Sequence, residues 1–181
     1  MKKIIYICAM LLMMSSCMQY PEIYMLLSDE DAAAIPYQKG QKVSFVNQNG
    51  DTLVYQVTFD DIYQYDIDHF YNYGSKMQPR DDFYCYVRTV IMECAENGTK
   101  LGFTIRSLQK ELTFYFGDET VLSGSLLIQE PCNVNGVDYE NVHHEILYNQ
   151  YTGELIYDWY YNEEFGLLQI KYYDKSLTRI P

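Results

Sequence analysis

Basic residues are scarce. Lys and Arg together number 13 against 25 Asp and Glu, which leaves a formal charge of −12. No basic patch is available to neutralise phosphates, and this excludes a nucleic-acid-binding role. Proline and glycine are also few, 5 and 10 in 181 residues, so the chain is neither collagen-like nor a low-complexity linker. Five cysteines are too few for a disulfide-dense mini-scaffold. No apolar stretch is long enough to span a bilayer as a helix; the longest, Ile4–Met14, would extend roughly 16 Å. No sustained 3.6-residue periodicity is present, which argues against a helical bundle. Nucleophile elbows, phosphate-binding loops, His-Glu-Xaa-Xaa-His and Gly-Xaa-Gly-Xaa-Xaa-Gly are all missing. What the chain does have is aromatic and β-branched residues. It is 48% hydrophobic and 16% aromatic, with 20 Tyr, enough for one domain with a substantial core.

The first residues carry an address. Met1-Lys2-Lys3, the apolar Ile4–Met14 and the small pair Ser15-Ser16 are the parts of a secretory signal. Met14-Ser15-Ser16-Cys17 resembles a bacterial lipobox, with Met14 where Leu is usual. The resemblance implies cleavage before Cys17, lipidation of its thiol and acylation of the new amine. Several acyl chains on one residue anchor stably, since each buried CH₂ contributes about 0.8 kcal/mol. The expected organisation is a signal peptide at 1–16, a lipidated N-terminus and tether at 17–36, and an all-β domain at 37–181. Within the tether, Ser28 is expected to cap one helical turn that starts with Asp29, Glu30 and Asp31 and stops at Pro36.

From residue 37 the pattern alternates with period two. Val43 and Phe45 face one way, as do Leu53, Tyr55, Val57 and Phe59. A three-residue loop, Gln48-Asn49-Gly50, with Gly50 left-handed, places Phe45 opposite Leu53 and Val43 opposite Tyr55. A two-residue loop would scramble the faces. By the same logic Glu96-Asn97-Gly98 is expected to turn a second hairpin. Cys85, Val87 and Ile91 would then face inward, with Ile91 opposite Phe103. Further strands are expected at 61–71, 111–117, 120–129, 139–148, 154–162, 167–173 and 176–180. The expected fold is one antiparallel all-β domain of about 8–10 strands. Sandwich, barrel and strongly curved open sheet remain open.

Tyr37–Phe45 followed by Asn49-Gly50-Asp51-Thr52, and later Tyr139–Val142 and Tyr160–Gln169, resemble small Bacteroidetes lipoproteins. That resemblance implies export and attachment to the envelope, with the outer membrane the expected site, and carries over no catalytic residue. Acidic residues after the lipidated cysteine favour surface display in that group; Met18-Gln19-Tyr20 stands there instead, so the side of the membrane stays open. Asp51-Thr52-Leu53 resembles the group's O-glycosylation motif, but it is read here as an ordinary hairpin exit.

The candidate chemistry is sparse. His143 and Glu145 share a strand face and would need His69 to complete a His-His-Glu set, so no metal site is assigned and the histidines are expected at the surface. Cys85 and Cys94 sit nine positions apart and face opposite ways on a strand; Cys94–Cys132 is the disulfide to test. Asp60, Asp61, Asp66 and Asp68 cluster, with no sign of the cleft a hydrolase pair requires. Exposed tyrosines can stack on sugars, and Tyr63, Tyr65, Tyr71, Trp159 and Tyr161 are the candidate ligand-binding residues. The expected role is non-enzymatic, without a cofactor. The chain would be a tethered module whose partner is a glycan, an apolar ligand or another envelope protein. The alternative is a structural subunit of a cell-surface assembly.

Overall fold

A computed structural model describes residues 23–66, 83–106, 110–126 and 129–180. Twelve strands and one short helix follow in order: β1 (Ile23–Met25), α1 (Asp29–Ala33), β2 (Lys42–Asn47), β3 (Thr52–Asp66), β4 (Phe83–Cys94), β5 (Lys100–Arg106), β6 (Glu111–Phe116), β7 (Glu119–Ser125), β8 (Glu130–Val134), β9 (Val137–Tyr148), β10 (Leu155–Asn162), β11 (Gly166–Tyr172) and β12 (Lys175–Arg179). The all-β expectation holds, and the architecture is the curled open sheet among the three alternatives. The strand number exceeds the expected 8–10 because β1 and β8 carry no alternation, while the strand expected at 61–71 is, as far as Asp66, the continuation of β3. Pro131 breaks the β8 pattern, and it is tolerated because β8 is an edge strand with a bulge between Glu130 and Cys132.

The sheet order is β7-β6-β5-β4-β3-β2-β12-β11-β10-β9-β8. Two sequential meanders, β2–β7 and β8–β12, are joined where β12 pairs antiparallel with β2 through Leu177–Asn47, Thr178–Val46 and Arg179–Phe45. β1 lies off this path and runs parallel to the start of β4, with Met25 opposite Cys85. The two sheet edges, β7 and β8, are successive in the chain, so the curl brings them to one seam. Inside the curl, Phe103, Phe114, Trp159 and Tyr161 form a contiguous aromatic chain with ring centroids 5.0–6.3 Å apart, linking β5 and β6 to β10. No helix among the described residues is long and apolar enough to cross a membrane.

The first hairpin has the expected register, Phe45 opposite Leu53 and Val43 opposite Tyr55, with Gly50 at φ +86°. The alternation breaks at a bulge between Val57 and Phe59, so Phe59 turns outward. The second hairpin departs from expectation. Cys94 N–H donates to the Thr99 carbonyl, leaving a four-residue loop, Ala95–Gly98. Phe103 therefore meets Val90 rather than Ile91. The core face of β4 is Val90, Met92 and Cys94; Cys85 and Val87 are buried away from the main core. One added loop residue exchanges the faces of a strand.

The segment expected to be a tether belongs to the globule from Ile23 onward. Ser28 caps α1 as anticipated, its Oγ accepting from the Asp31 N–H at 3.0 Å. Ala34, Ile35 and Tyr37 are then fully buried in the core. Arg88 ties this segment to β3 with all five of its N–H donors. Nε and Nη2 bind the two Asp60 oxygens at 2.9 and 3.0 Å. Nη1 donates to the carbonyls of Ala32 and Ile35 at 2.7 Å, and Nη2 also donates to that of Tyr37 at 2.6 Å. Tyr161 Oη donates to the Ala34 carbonyl at 2.6 Å, and the Leu167 N–H donates to Tyr37 Oη at 2.7 Å. The N-terminal segment is thus a plug across one end of the curl. The folded unit starts before residue 37.

Candidate functional site

The end of the sheet opposite the plug is open. Four turns, β2–β3, β4–β5, β6–β7 and β11–β12, surround a cleft of about 660 Å³. Volumes of this order suit small ligands. Leu53, Tyr55, Phe116 and Leu177 supply its apolar wall, and all but Phe116 are inward positions of the β2–β3–β12 region. Gln48, Asn97, Lys100, Asp118, Glu119 and Lys175 form a rim of mixed charge. The turn chemistry fixes this rim. Asn47 Oδ1 accepts from the backbone N–H of both Asn49 and Asp51 at 2.9 Å, and Asn97 Oδ1 accepts from Thr99 N–H at 2.9 Å.

Two contacts shape the wall further. Lys175 Nζ lies 5.4 Å from the centre of the Phe116 ring. Tyr172 Oη donates to Glu119 Oε2 at 2.9 Å, its ring 6.4 Å from that of Phe116. Burial raises the Tyr55 phenol to about 12, with the neighbouring Cys94 adding to the effect, so Tyr55 stays a neutral wall group. The cleft offers apolar surface beside hydrogen-bond donors and acceptors.

The sequence-predicted aromatic set does not assemble. Tyr63 is 42% exposed on β3, with its Oη 3.2 Å from Thr89 Oγ1. Tyr65 pairs through its backbone with Cys85, and Tyr71 lies outside the described residues. Trp159 and Tyr161 are core residues, 2% and 0% exposed, so neither is the open stacking platform expected of it. The reason is the direction of β10, whose alternate residues Tyr157, Trp159 and Tyr161 all face into the curl.

The polar candidates have structural partners. His143 is buried rather than superficial; its Nε2 contacts Gln129 Nε2 at 2.9 Å and Glu163 Oε1 at 3.4 Å. Lys110 reaches Glu30 on α1 at 3.2 Å and Glu163 at 3.8 Å, which ties the plugged end together. His144 is exposed and stacks on Tyr160 at 4.1 Å, with Nε2 2.9 Å from Asp158. His69 lies outside the described residues, and among those described no three metal-ligating side chains converge. Asp60 is committed to Arg88, Asp61 Oδ1 accepts from Ile62 N–H, and Asp68 lies outside the described residues. Cys94 and Cys132 are both free thiols, so the Cys94–Cys132 bond is not formed; Cys94 belongs to the main core and Cys132 packs on a small separate cluster around Val142 and Leu168. Cys17, the expected lipidation site, precedes the described residues.

The cleft was not visible in the sequence, because its lining comes from four turns distant along the chain. The recurrent Asn and Gly at those turns marked the turns and not their convergence. No family model, no curated protein and no solved structure matches this chain.

Proposed function

We propose that this chain is a non-enzymatic binding module, lipid-anchored through Cys17 in a bacterial envelope, and that its open end takes a hydroxyl-rich ligand such as a glycan. The observation that carries this reading is the cleft of about 660 Å³ with an apolar wall at Leu53, Phe116 and Leu177 and an amide, carboxylate and ammonium rim. Sugar rings present both apolar C–H faces and hydroxyls, and this lining offers a counterpart to each. The anchor reading rests on the lipobox-like Met14-Ser15-Ser16-Cys17.

The geometry supports a consistent orientation. β1 starts beside Phe83, at the plugged end of β4, roughly 36 Å along the strand from the β4–β5 turn. Six residues from Cys17 to Ile23 reach at most about 20 Å. An anchored molecule therefore holds its open end away from the bilayer. The test has two parts. Glycan-array binding by the purified protein is expected and should fall at least tenfold in Phe116→Ala, about 1.4 kcal/mol. Incorporation of labelled fatty acid is expected in the intact chain and not in Cys17→Ala. Glycan binding unaffected by Phe116→Ala, or label retained by Cys17→Ala, overturns the corresponding half.

A second reading is a structural subunit in a cell-surface assembly. The observation favouring it is the end of β9, where Ile146, Leu147 and Tyr148 are 42–53% exposed and, among the described residues, no strand pairs on the side away from β10. A concentration-dependent oligomer lost in Ile146→Lys would support that reading over the first.

A further inference from the structure

The seam of the curl holds a second, smaller recess. It has a volume of about 210 Å³ and lies between β7 and the β9–β10 pair. That is below the size of a drug-like site and suits a ligand of a few heavy atoms. Its inner wall is apolar: Leu122, Leu126 and Trp159 are 4%, 3% and 2% exposed. Its solvent side carries one exposed carboxylate, Glu145.

The carboxylate is held in place and left uncompensated. Tyr157 Oη donates to Glu145 Oε1 at 2.8 Å, which fixes the carboxylate orientation. Among the described residues Glu145 forms no ion pair. The two imidazoles that border the recess direct Nε2 elsewhere, His143 to Gln129 and Glu163, His144 to Asp158. Across the seam, β7 presents Gly124, where an added Cβ would lie 3.2 Å from Glu145 Oε2. A side chain there would press on the carboxylate and narrow the opening.

We infer that this recess binds a primary ammonium carried on a short apolar tail, the tail against Trp159, Leu122 and Leu126 and the ammonium on Glu145. The order of the lining sets this class. A cation at the inner wall would lose its hydration against hydrocarbon with no counter-charge there. An anion would meet Glu145 and the −12 charge of the chain. A neutral alkyl group would leave the carboxylate unmatched. Only an amphiphilic cation satisfies both ends, through burial of the tail and a charge-assisted hydrogen bond at the rim. The chemistry is shared by free alkylamines and by the α-ammonium of a peptide that begins with an apolar residue.

Trp159 is the only tryptophan and lines this recess, so its emission comes from one position that a bound tail would touch. The full-length protein is titrated with n-pentylammonium, n-pentanol, pentanoate and leucinamide. A saturable change in Trp159 emission is expected with n-pentylammonium, leucinamide or both, and which of them responds separates a free amine from a peptide terminus. Pentanol and pentanoate are expected to give none at the same concentrations. Glu145→Gln retains an acceptor for Tyr157 and should weaken binding about tenfold or more, the order expected for a lost charged hydrogen bond. Gly124→Val should abolish the response; if that variant does not fold, Glu145→Gln decides. No saturable change with either amine, an equal response to pentanol, or full affinity in Glu145→Gln overturns the assignment.

Discussion

Gly166 and Tyr37 occupy adjoining space so closely that a Cβ on Gly166 would overlap the Tyr37 hydroxyl. That hydroxyl accepts the Leu167 N–H at 2.7 Å, next along the same strand. Gly166 also sits at φ +81°. Replacement by Ala is expected to combine left-handed backbone strain with a core clash, a loss of about 2–5 kcal/mol. Gly40 supplies the control, since its φ is +87° and nothing lies within 4 Å of its added Cβ. Gly40→Ala should cost only about 1 kcal/mol. Urea denaturation of both variants measures the difference; equal losses would show that the overlap with Tyr37 does not matter.

Arg88 is the second test. Its five donors hold Asp60 and three carbonyls of the plug. The side chain is 12% exposed and that of Asp60 20%. Arg88→Ala should cost about 3–5 kcal/mol, the range for breaking a buried pair. Arg88→Lys keeps the charge but not the five-donor fork, so it should recover only part of that loss. Limited proteolysis should cut first within residues 28–40 in both variants. A protected plug in Arg88→Ala would contradict the pinning role.

Alkaline pH tests the buried phenols. Burial raises Tyr37 from 10.0 to about 12, with Arg179 opposing that rise, and burial raises Tyr55 likewise to about 12. Burial also raises Tyr157 and Tyr161, with Glu145 adding to the shift at Tyr157. Below pH 10 all are neutral in both states and their contribution to stability is complete. Between pH 10 and 12 the unfolded chain releases phenolic protons that the folded chain retains, so stability falls as pH rises. Each rise to about 12 corresponds to roughly 2–3 kcal/mol once the unfolded phenol is fully ionised. Tyrosinate absorbance should therefore rise in two stages, exposed groups first and buried ones together with unfolding. A single smooth titration centred on pH 10 with the fold intact would refute this.

Thiol accessibility follows burial. Cys85 and Cys94 are 1% and 0% exposed, whereas Cys132 is partly exposed. If the chain is processed at Cys17 as proposed, one thiol should react with an aromatic disulfide reagent under native conditions and three under denaturing conditions. Cys132→Ser should remove the native reaction. Loss of two thiols on oxidation with the fold intact would indicate a bond that this arrangement does not hold.

The sequence allowed some of this architecture to be read and concealed the rest, for physical reasons. The β2–β3 register was legible because Val43, Phe45, Leu53 and Tyr55 alternate against polar neighbours and only one loop length keeps them on one face. β4 has apolar residues on both faces, Cys85, Val87 and Ile91 against Val90, Met92 and Cys94, so alternation could not choose between loops of three and four residues. Trp159 and Tyr161 look alike as surface platforms and as core, since an aromatic ring with a polar edge suits either setting until the facing layer is known. The open cleft required the curl of the sheet, which no local pattern encodes.

The pairing of β2 with β12 has a consequence for biogenesis. Residues 43–47 are made early, yet their outer hydrogen-bonding groups find a partner only when residues 177–179 emerge. Until then the growing chain carries an unpaired strand edge at β2, an invitation to pair with a neighbour. Export in an extended, unfolded form would postpone the hazard until the whole length is across. A chain stopped before Lys175 would keep that edge permanently and should be recovered in aggregates rather than as a shortened globule.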